Sequence, residues 1–462
     1  MRRALALALS LAAATPAAGD ATLRFGRFGT VTLYGSQRPA AQVVLFVSGD
    51  GGWNQGVVDM ARQLASLDAL VAGVDIRTYL AALKASKEKC DYAAADFEEL
   101  SKFIQKKLGL TTYSTPILVG YSSGATLVYA VLAEAPPNTF KGAISLGFCP
   151  DLPLTKPLCR GNGLEWTPGP KGKGVVFLPA KALPAPWIAF QGTIDQVCDP
   201  KTAADFAKKT GGGELVLLPK VGHGFSVPRN WLPQFKDAFA RVAKAARPAP
   251  VSSAAALPAL PLVELAAEGP QGDALAVIVT GDGGWAGIDR EIGGALARKG
   301  IPVVGVNSLQ YFWTPRTPEG ASRDLAAILR HYLASWKKDR AIVVGYSFGA
   351  DVLPFLLSRL PDDLKGKVTL AALLSPSRSA DFEFHLTDWV GSSTGASSHP
   401  VLPEIRKLAG MKILCLAGAD EKDSLCSDLG PKDARVLWLP GGHHFDGAYE
   451  SIAETILREA GP

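Results

Sequence analysis

Residues 341–350 read AIVVGYSFGA, a short run of apolar and β-branched side chains that ends in Gly345-Tyr346-Ser347-Phe348-Gly349. A run of this kind is typical of a buried parallel strand. Two glycines around a serine, placed between a strand and a helix, allow a sharp turn that lifts the serine hydroxyl above the sheet. The stretch therefore predicts a strand, a tight turn that carries Ser347, and a helix.

The same pattern occurs earlier in the chain, and two further motifs are repeated with it in the same order. Residues 116–125 read PILVGYSSGA and place Ser122 where Ser347 lies in the later copy. The further motifs are Gly-Asp-Gly-Gly-Trp at 49–53 and 281–285, and Gly-His-x-Phe at 222–225 and 442–445. Three motifs in one order at similar spacing indicate an internal duplication.

Short apolar runs alternate with amphipathic stretches in each copy. In the second copy the apolar runs are Ala274–Thr280, Ile301–Asn307, Ala341–Gly345, Val368–Ser375, Lys412–Ala417 and Ala434–Leu439. The helical stretch Pro318–Trp336 lies between two of them, as in a βαβ crossover. The sequence therefore predicts an α/β protein with two tandem α/β-hydrolase-like domains, each an open, mostly parallel sheet with helices on both faces.

Two segments differ in composition from the rest of the chain. Residues 245–256 read AARPAPVSSAAA, a Pro/Ala/Ser tract that is typical of an exposed linker. Arg2 and Arg3 precede an apolar run from Ala4 to Ala14 and then small residues, which is the pattern of a cleaved secretory signal peptide. We predict a signal peptide at 1–19, a first domain at 20–246, a linker at 247–258 and a second domain at 259–462.

Composition and motifs argue against several other classes of protein. The formal net charge of +5 over 462 residues is mild and spread along the chain, so we expect no nucleic-acid partner. The Gly-Asp-Gly-Gly-Trp loop has neither the Lys-Ser/Thr of a P-loop nor a full Gly-x-Gly-x-x-Gly, and the chain has no paired Cys-x-x-Cys. We therefore predict neither an organic cofactor nor a metal ion.

A serine nucleophile needs a base, and each copy offers a histidine just past its last predicted strand. These are His223 and His443, two of only six histidines in the chain. His444 is the alternative base in the second copy, but alignment on Phe225 and Phe445 favours His443.

The acid that orients the histidine is expected after the preceding strand. In the first copy, Gly192-Thr193-Ile194-Asp195 indicates Asp195. The second copy reads Gly418-Ala419-Asp420-Glu421-Lys422-Asp423-Ser424-Leu425-Cys426 and is ambiguous. Matching Asp195-x-x-Cys198 to Asp423-x-x-Cys426 selects Asp423, whereas counting from the glycine selects Glu421, and we favour Asp423. Either choice gives the order serine, acid, histidine of α/β-hydrolases.

The Gly-Asp-Gly-Gly-Trp loop follows the strand that supplies half of the oxyanion hole in such enzymes. We expect the oxyanion to be bound by backbone amides near Asp50-Gly51 and Asp282-Gly283, together with those of Ser123 and Phe348. The carboxylates of Asp50 and Asp282 have two candidate roles: capping the next helix, or facing a cationic group of the substrate.

The chain contains six cysteines, an even number that fits three disulfides in an oxidising compartment. Their spacing favours local bridges Cys149–Cys159 and Cys415–Cys426, which leaves Cys90–Cys198. Together with the N-terminal signal, the cysteines predict an exported protein.

Four stretches of the second copy resemble the AcvB/VirJ family of exported bacterial hydrolases. These stretches are Gly281–Trp285, Gly345–Asp351, Asp423–Cys426 and Gly441–Asp446. The resemblance covers essentially the whole mature chain in the two-domain, AcvB-like form, whereas VirJ itself resembles the second half. It implies that Ser347 and His443 are the main catalytic pair.

The resemblance also implies a substrate and a location. It points to a periplasmic serine esterase that removes the amino acid, lysyl or alanyl, from aminoacyl-phosphatidylglycerol and returns the anionic lipid. Its partners would then be this aminoacylated phospholipid and the periplasmic surface of the inner membrane. The ammonium groups of such a substrate need nearby carboxylates, for which Asp282, Asp351 and Asp446 are candidates.

The first copy departs from the family pattern. It has Ser123, Thr126 and Ser226 where the second has Phe348, Asp351 and Asp446, which puts its activity in question. The aromatic run Tyr311–Trp313 follows the second strand of its domain and either faces lipid or substrate or has a structural role.

Two alternative functions are compatible with the sequence. The first is an exported esterase or peptidase with another substrate, because fold and triad do not determine substrate. The second is an interaction protein of a secretion apparatus, which the VirJ resemblance also suggests.

Overall fold

The computed structural model describes residues 21–35, 40–160, 163–244, 260–285, 287–384 and 398–461. The predicted signal peptide and linker lie outside the described residues, so the domain boundaries stay predictions.

The first half is built on an eight-stranded sheet with a small three-stranded sheet beside it. In chain order the strands are β1 (Ala21–Phe25), β2 (Gly29–Tyr34), β3 (Gln42–Val47), β4 (Ala69–Val74), β5 (Ile117–Tyr121), β6 (Gly142–Leu146), β7 (Asp151–Leu152), β8 (Trp166–Pro168), β9 (Val175–Phe177), β10 (Trp187–Gly192) and β11 (Gly213–Leu218). The large sheet has the order β1-β2-β4-β3-β5-β6-β10-β11, and the small one β7-β9-β8. In the large sheet β1–β2 and β2–β4 are antiparallel, and the pairs from β4 to β11 are parallel.

Helices cover both faces of this sheet because successive strand residues point to opposite sides. The helices are α1 (Gln55–Ala65), α2 (Ile76–Ala85), α3 (Ala93–Lys107), α4 (Ser123–Glu134), α5 (Pro200–Lys209) and α6 (Leu232–Lys244). On β3, Val43 and Leu45 belong to the core with α2 to α5, whereas Val44 and Phe46 pack with α1 and α6.

The second half repeats this architecture with a seven-stranded sheet and a two-stranded ribbon. Its strands are β12 (Leu262–Leu265), β13 (Ala274–Val279), β14 (Val303–Val306), β15 (Arg340–Tyr346), β16 (Val368–Leu374), β17 (Ser379–Ala380), β18 (His399–Pro400), β19 (Ile413–Gly418) and β20 (Arg435–Leu439). Its helices are α7 (Gly287–Arg298), α8 (Ser308–Tyr311), α9 (Pro318–Ser335), α10 (Phe348–Ser358), α11 (Asp362–Lys365), α12 (Val401–Arg406) and α13 (Tyr449–Ala460). The sheet order is β12-β14-β13-β15-β16-β19-β20, and only the β12–β14 pair is antiparallel.

The predicted fold class is confirmed. The predicted strands of the second half match observed ones, with ends that shift by up to two residues, and the predicted helix Pro318–Trp336 is α9. The sequence motifs did not reveal the antiparallel edge strands, β1, β2 and β12. These strands lie at the sheet edge farthest from the predicted acid and histidine loops.

The disulfide prediction is right for one bridge and wrong for two. Cys415–Cys426 is present, but the others are Cys90–Cys159 and Cys149–Cys198 instead of Cys149–Cys159 and Cys90–Cys198. Strands β6 and β10 are parallel neighbours, so Cys149 and Cys198, which follow their carboxyl ends, meet. Cys159 lies beside Cys90 because the backbone N–H of Cys159 donates to the carbonyl oxygen of Asp91 at 3.0 Å. Spacing along the chain cannot reveal either proximity.

Two kinds of feature are absent from the described residues. No helix there is both long and apolar enough to cross a membrane. No cluster of three or more His, Cys, Asp or Glu side chains there has a geometry suited to a metal ion.

Candidate active site

Both candidate nucleophiles lie on a sharp strand-to-helix turn. Ser347 connects β15 to α10 with φ of 50°, and Ser122 connects β5 to α4 with φ of 56°. A positive φ is strained for a residue other than glycine, and such strain is concentrated at functional sites. The turn also needs Gly349, because a Cβ there would lie 2.0 Å from the carbonyl oxygen of Val279. The predicted nucleophile elbows are therefore present in both halves.

In the second half, Ser347 lies at the start of a hydrogen-bonded relay. Its Oγ is 2.9 Å from Nε2 of His443, and Nδ1 of His443 is 2.5 Å from Oε1 of Glu421. The other carboxylate oxygen, Oε2, accepts hydrogen bonds from the Ser375 hydroxyl at 2.7 Å and the Gly418 amide at 3.0 Å. These contacts fix the orientation of the carboxylate and, through it, of the imidazole.

The hydrogen bonds at Glu421 also determine its charge. Burial by itself would raise the pKa of Glu421, but hydrogen bonds from Ser375, His443 and the Gly418 amide lower it more, so the net pKa lies below its ordinary value. Glu421 is therefore ionised at neutral pH and can stabilise an imidazolium at His443.

The identity of this acid corrects the sequence analysis. The favoured residue, Asp423, has an exposed side chain, and its backbone carbonyl accepts from Arg378. Counting three residues from the glycine at the end of the strand selects the observed acid in both halves. The turn is the same: the Glu421 N–H donates to the Gly418 carbonyl, and the Asp195 N–H donates to the Gly192 carbonyl.

The match between Cys198 and Cys426 selected the wrong acid because these two cysteines are not equivalent in the two halves. Cys198 is bonded to Cys149, on the loop after the neighbouring strand, whereas Cys426 is bonded to Cys415 within β19. The spacing from acid to cysteine therefore carries no shared geometry.

The first half holds a complete relay as well. Ser122 Oγ is 2.9 Å from Nε2 of His223, whose Nδ1 is 2.9 Å from Oδ2 of Asp195. Oδ1 of Asp195 accepts from the amides of Val197 and Cys198, at 2.8 and 2.9 Å. The Asp195 side chain is fully buried, whereas Glu421 and especially His443 are more open to solvent. The first triad thus has the same complete set of hydrogen bonds between serine, histidine and acid as the second.

The alternative base, His444, is held outside the relay. Its Nδ1 lies 3.2 Å from the Tyr346 hydroxyl, which also lies 3.2 Å from the backbone carbonyl of His443. Burial lowers the pKa of His444, and the nearby His443 lowers it further by a smaller amount. The preference for His443 as the base therefore agrees with the geometry.

The Gly-Asp-Gly-Gly-Trp loops lie against the serines, as an oxyanion hole requires. A Cβ on Gly49 would lie 2.8 Å from Cβ of Ser122, and one on Gly281 would lie 3.7 Å from Cβ of Ser347. The amides of Asp50-Gly51 and Asp282-Gly283 follow these glycines in the chain. Those of Ser123 and Phe348 lie in the first turn of α4 and α10, where a helix offers no carbonyl partner.

The side chains of the two loop aspartates do not have the same surroundings. The cap of α1 is Asn54, whose side chain accepts from the Gly56 amide, so Asp50 does not cap that helix. Asp282 is exposed on 59% of its side chain, and its Oδ2 lies 3.7 Å from Nζ of Lys102, which belongs to the first half of the chain.

Asp351 has a structural role instead of the predicted contact with a substrate ammonium group. It is buried in α10, and its Oδ1 accepts from the Ser377 amide at 2.6 Å. At the matching place in the first half, Thr126 Oγ1 donates to the Cys149 carbonyl at 2.6 Å. Each side chain holds the loop after the strand next to the elbow, and burial raises the pKa of Asp351 to about 8.

Replacing Asp351 with asparagine is expected to raise stability selectively in alkaline solution. A carboxyl with a folded pKa of about 8 and an ordinary unfolded value of about 4 binds more protons when folded, so its contribution to stability falls as pH rises across this window. We expect Asp351→Asn to raise the Tm by a few degrees at pH 9 and to change it little at pH 5. The measurement is thermal unfolding across pH 5–9, with the exposed Asp362→Asn as control. A Tm difference that does not vary with pH would contradict this role.

The aromatic run Tyr311–Trp313 is structural, because its three side chains are buried. The ring of Phe312 packs on Phe348 with centroids 5.0 Å apart, and Phe384 also packs on Phe348, at 4.5 Å. Nε1 of Trp313 donates to the Leu110 carbonyl, in the first half of the chain, at 2.6 Å.

Several solved structures are similar to part of this chain. The esterase domain of a Rhodothermus marinus protein is 17% identical, with 48% of this chain and 97% of that chain covered and a TM-score of 0.32. Est1E from Butyrivibrio proteoclasticus is 14% identical, with 49% and 99% covered and a TM-score of 0.33. XC6422 from Xanthomonas campestris, described as an α/β serine hydrolase without a lid, is 19% identical, with 49% and 94% covered and a TM-score of 0.32. A search of curated proteins found no match.

The family comparison matches both halves of the chain. The model of the bacterial virulence protein VirJ matches residues 41–146, which include the first oxyanion loop and Ser122, and residues 273–461, which include the whole second relay. Because the two regions make up more than half of the sequence, the chain belongs to the VirJ family of bacterial virulence proteins.

Proposed function

We propose that this α/β serine hydrolase is a periplasmic esterase that cleaves the aminoacyl ester of aminoacyl-phosphatidylglycerol. The observation that carries the proposal is the Ser347–His443–Glu421 relay, with the exposed carboxylate of Asp282 on the loop beside it. The relay supplies ester hydrolysis, and the carboxylate favours a substrate whose acyl group is positively charged.

The acylation step follows from the relay. Ser347 Oγ attacks the ester carbonyl carbon while Nε2 of His443 takes the hydroxyl proton, and the resulting imidazolium is stabilised by Glu421 through Nδ1. Negative charge develops on the carbonyl oxygen, which the amides of Phe348 and the Asp282-Gly283 pair bind. His443 then gives its proton to the departing glycerol oxygen, and phosphatidylglycerol leaves.

Deacylation reverses these roles with water as the nucleophile. His443 takes a proton from the water, the hydroxide attacks the acyl carbon on Ser347, and the same amides bind the oxyanion. Return of the proton to Ser347 Oγ releases the free amino acid. The net reaction consumes one water and yields one amino acid and one phosphatidylglycerol.

The charges around the second site favour a cationic acyl group. Asp282 acts on Glu98 and Glu99 of α3 strongly enough to contribute to the raised pKa of both, although burial is the larger cause. Lys102 lies among them and pairs with Glu98 and Asp282 at 3.6 and 3.7 Å, and Arg27 is a second cation that acts on Glu99. The Asp282 carboxylate, which is 59% exposed on the loop beside Ser347, would attract the α-ammonium group that every aminoacyl ester carries and a lysyl side chain as well.

The proposed location rests on the disulfides and on the sequence. Three disulfides are typical of proteins in oxidising compartments, to which the predicted signal peptide would deliver the chain. The net charge of +5, which falls to +3 without Arg2 and Arg3 of the predicted signal peptide, favours approach to an anionic membrane surface. We therefore propose the periplasmic face of the inner membrane as the place where the protein meets its lipid, with secretion-system proteins as a further class of partner.

The experiment is hydrolysis of lysyl- and alanyl-phosphatidylglycerol in vesicles by the purified mature protein, with amino acid, phosphatidylglycerol and fatty acid measured separately. We expect equal amounts of amino acid and phosphatidylglycerol and no release of fatty acid. Absence of amino-acid release from both lipids, or release of fatty acid instead, would contradict the proposed substrate.

A further inference from the structure

We propose that helix α3 of the first domain positions the oxyanion hole of the second domain, through Lys102 and Lys106. The inference rests on the proposed hydrolysis at Ser347, but not on the identity of the substrate. It makes the two halves of the chain one functional unit in which the first supplies positioning residues to the site of the second.

Lys102 is buried, with 2% of its surface exposed, although lysine is almost never fully buried without a partner. Its partners are Glu98, one turn earlier on α3 with an Nζ to Oε2 distance of 3.6 Å, and Asp282 of the other domain at 3.7 Å. Burial lowers the pKa of Lys102, but the carboxylates of Glu98 and Asp282 raise it more, so its net pKa lies above the ordinary value. The ammonium group is therefore charged and holds the Asp282-Gly283 segment, whose amides form one side of the oxyanion hole.

Lys106 lies one turn farther along α3 and holds the other side. Its Nζ donates to the Trp313 carbonyl at 2.8 Å and to Oε1 of Glu383 at 2.7 Å. The residues next to these two contacts, Phe312 and Phe384, pack on the ring of Phe348 at 5.0 and 4.5 Å. The amide of Phe348 is the second donor of the oxyanion hole, so Lys106 supports the aromatic side chains that fix it.

Contacts outside α3 keep the helix in this place. Nδ2 of Asn138 donates to the Trp285 carbonyl, at the end of the second oxyanion loop, at 3.1 Å. Nε1 of Trp313 donates to the Leu110 carbonyl at 2.6 Å, and Tyr113 belongs to the core cluster of the second domain. The first domain thus contacts three loops that follow strands β13, β14 and β16, at the carboxyl edge of the second sheet where Ser347 lies.

The physical reason for such support is that an oxyanion hole acts only if its donors are already in place. Donors that must reorganise during the reaction lose much of their effect, and removal of one donor altogether costs about 10²- to 10³-fold in kcat. A donor that is loosened but retained is expected to cost less, about 10-fold. The loss appears in kcat with little change in KM, because the developing charge exists only in the transition state.

The test measures the rate at which a fluorophosphonate modifies each catalytic serine, resolved by peptide mass spectrometry. Ser122 in the same molecule serves as an internal standard for folding and concentration. We expect Lys102→Met and Lys106→Met each to slow modification of Ser347 by about 10-fold and to leave the rate at Ser122 within twofold. Lys107→Met is the matched control, since Lys107 is exposed on the same helix and its ammonium lies over Phe103 of its own domain, and we expect it to change neither rate.

A second measurement separates positioning from folding. In a Ser122→Ala background, kcat and KM for a soluble nitrophenyl ester are compared for Lys102→Met, Asp282→Asn and the double variant. We expect kcat to fall with KM unchanged, and the double variant to lose little more than Lys102→Met alone, because both changes remove one ion pair.

Several results would overturn the proposal. These are an unchanged Ser347 rate in both lysine variants, equal loss at Ser347 and Ser122, or additive effects of Lys102→Met and Asp282→Asn. Failure of the lipid assay with normal dependence of the Ser347 rate on Lys102 would refute the proposed substrate and leave the positioning role intact.

Discussion

Replacement of Ser347 by alanine is expected to lower kcat for aminoacyl-phosphatidylglycerol by about 10⁴-fold or more. The hydroxyl is the atom that bonds to the acyl group, and removal of a triad nucleophile leaves only the contribution of the oxyanion hole and of substrate binding. The variant should fold normally, because its side chain makes one hydrogen bond, to His443, and does not cap α10. The measurement is amino-acid release from lipid vesicles under single-turnover conditions, which excludes effects of product release.

Ser122→Ala is the matched control, because it makes the same change on an equivalent elbow in the same molecule. We expect it to retain most of the aminoacyl-lipid activity. Loss of activity with Ser122→Ala and its survival with Ser347→Ala would place the lipid chemistry in the first domain and contradict the proposed assignment.

Replacement of Glu421 by glutamine is expected to lower kcat by about 10³- to 10⁴-fold, with little change in KM. Glutamine has the shape of glutamate but lacks the charge that stabilises the imidazolium, and its amide can hold His443 in the wrong tautomer. Because the pKa of Glu421 is lowered, its carboxylate is charged well below pH 6. The loss should therefore be the same across pH 6–9, which a kcat profile of wild type and variant measures.

Asp423→Asn provides the comparison that decides between the two acids. The Asp423 side chain is exposed, and the hydrogen bond from Arg378 is accepted by the backbone carbonyl of Asp423. We expect less than a twofold change in kcat, since exposed charges away from the reacting atoms contribute little. A larger loss with Asp423→Asn than with Glu421→Gln would show that the relay is assembled differently during the reaction.

Local sequence patterns were sufficient for the fold and for four of the six triad residues without ambiguity. The strands before Ser122 and Ser347 are continuous apolar runs, and the turns after them need glycine at fixed places, so both features are visible in short stretches. Asp195 lies three residues after the end of β10 and His223 five residues after the end of β11, so short stretches of sequence were enough to predict both.

Two predictions that failed, the acid of the second triad and the pairing of four cysteines, failed for different reasons. The choice between Asp423 and Glu421 depends on the turn after β19, in which the Glu421 N–H bonds to the Gly418 carbonyl. The pairing of Cys149 with Cys198 depends on β6 and β10 being neighbours in the sheet. The turn after β19 repeats the spacing from Gly192 to Asp195, so the glycine spacing does encode the acid, whereas no spacing along the sequence encodes the cysteine pairing.

The role of α3 at the second site could not be predicted from the sequence either, because it also depends on contacts between distant parts of the chain. Lys102 and Lys106 lie in a helix whose composition is that of an ordinary amphipathic surface helix. Their importance is apparent only when Asp282, Trp313 and Glu383 of the other domain are found against them. A buried lysine that is paired with a carboxylate of another domain is a signal that only a structure provides.

The most direct single measurement is exhaustive reaction of the mature protein with a fluorophosphonate, followed by peptide mapping of the modified residues. Both relays are complete, so we expect two phosphonates per chain, one on Ser347 and one on Ser122, and none in the Ser122→Ala/Ser347→Ala variant. A chain that takes up no phosphonate, or takes it up on another residue, would contradict the proposal that both relays are catalytic.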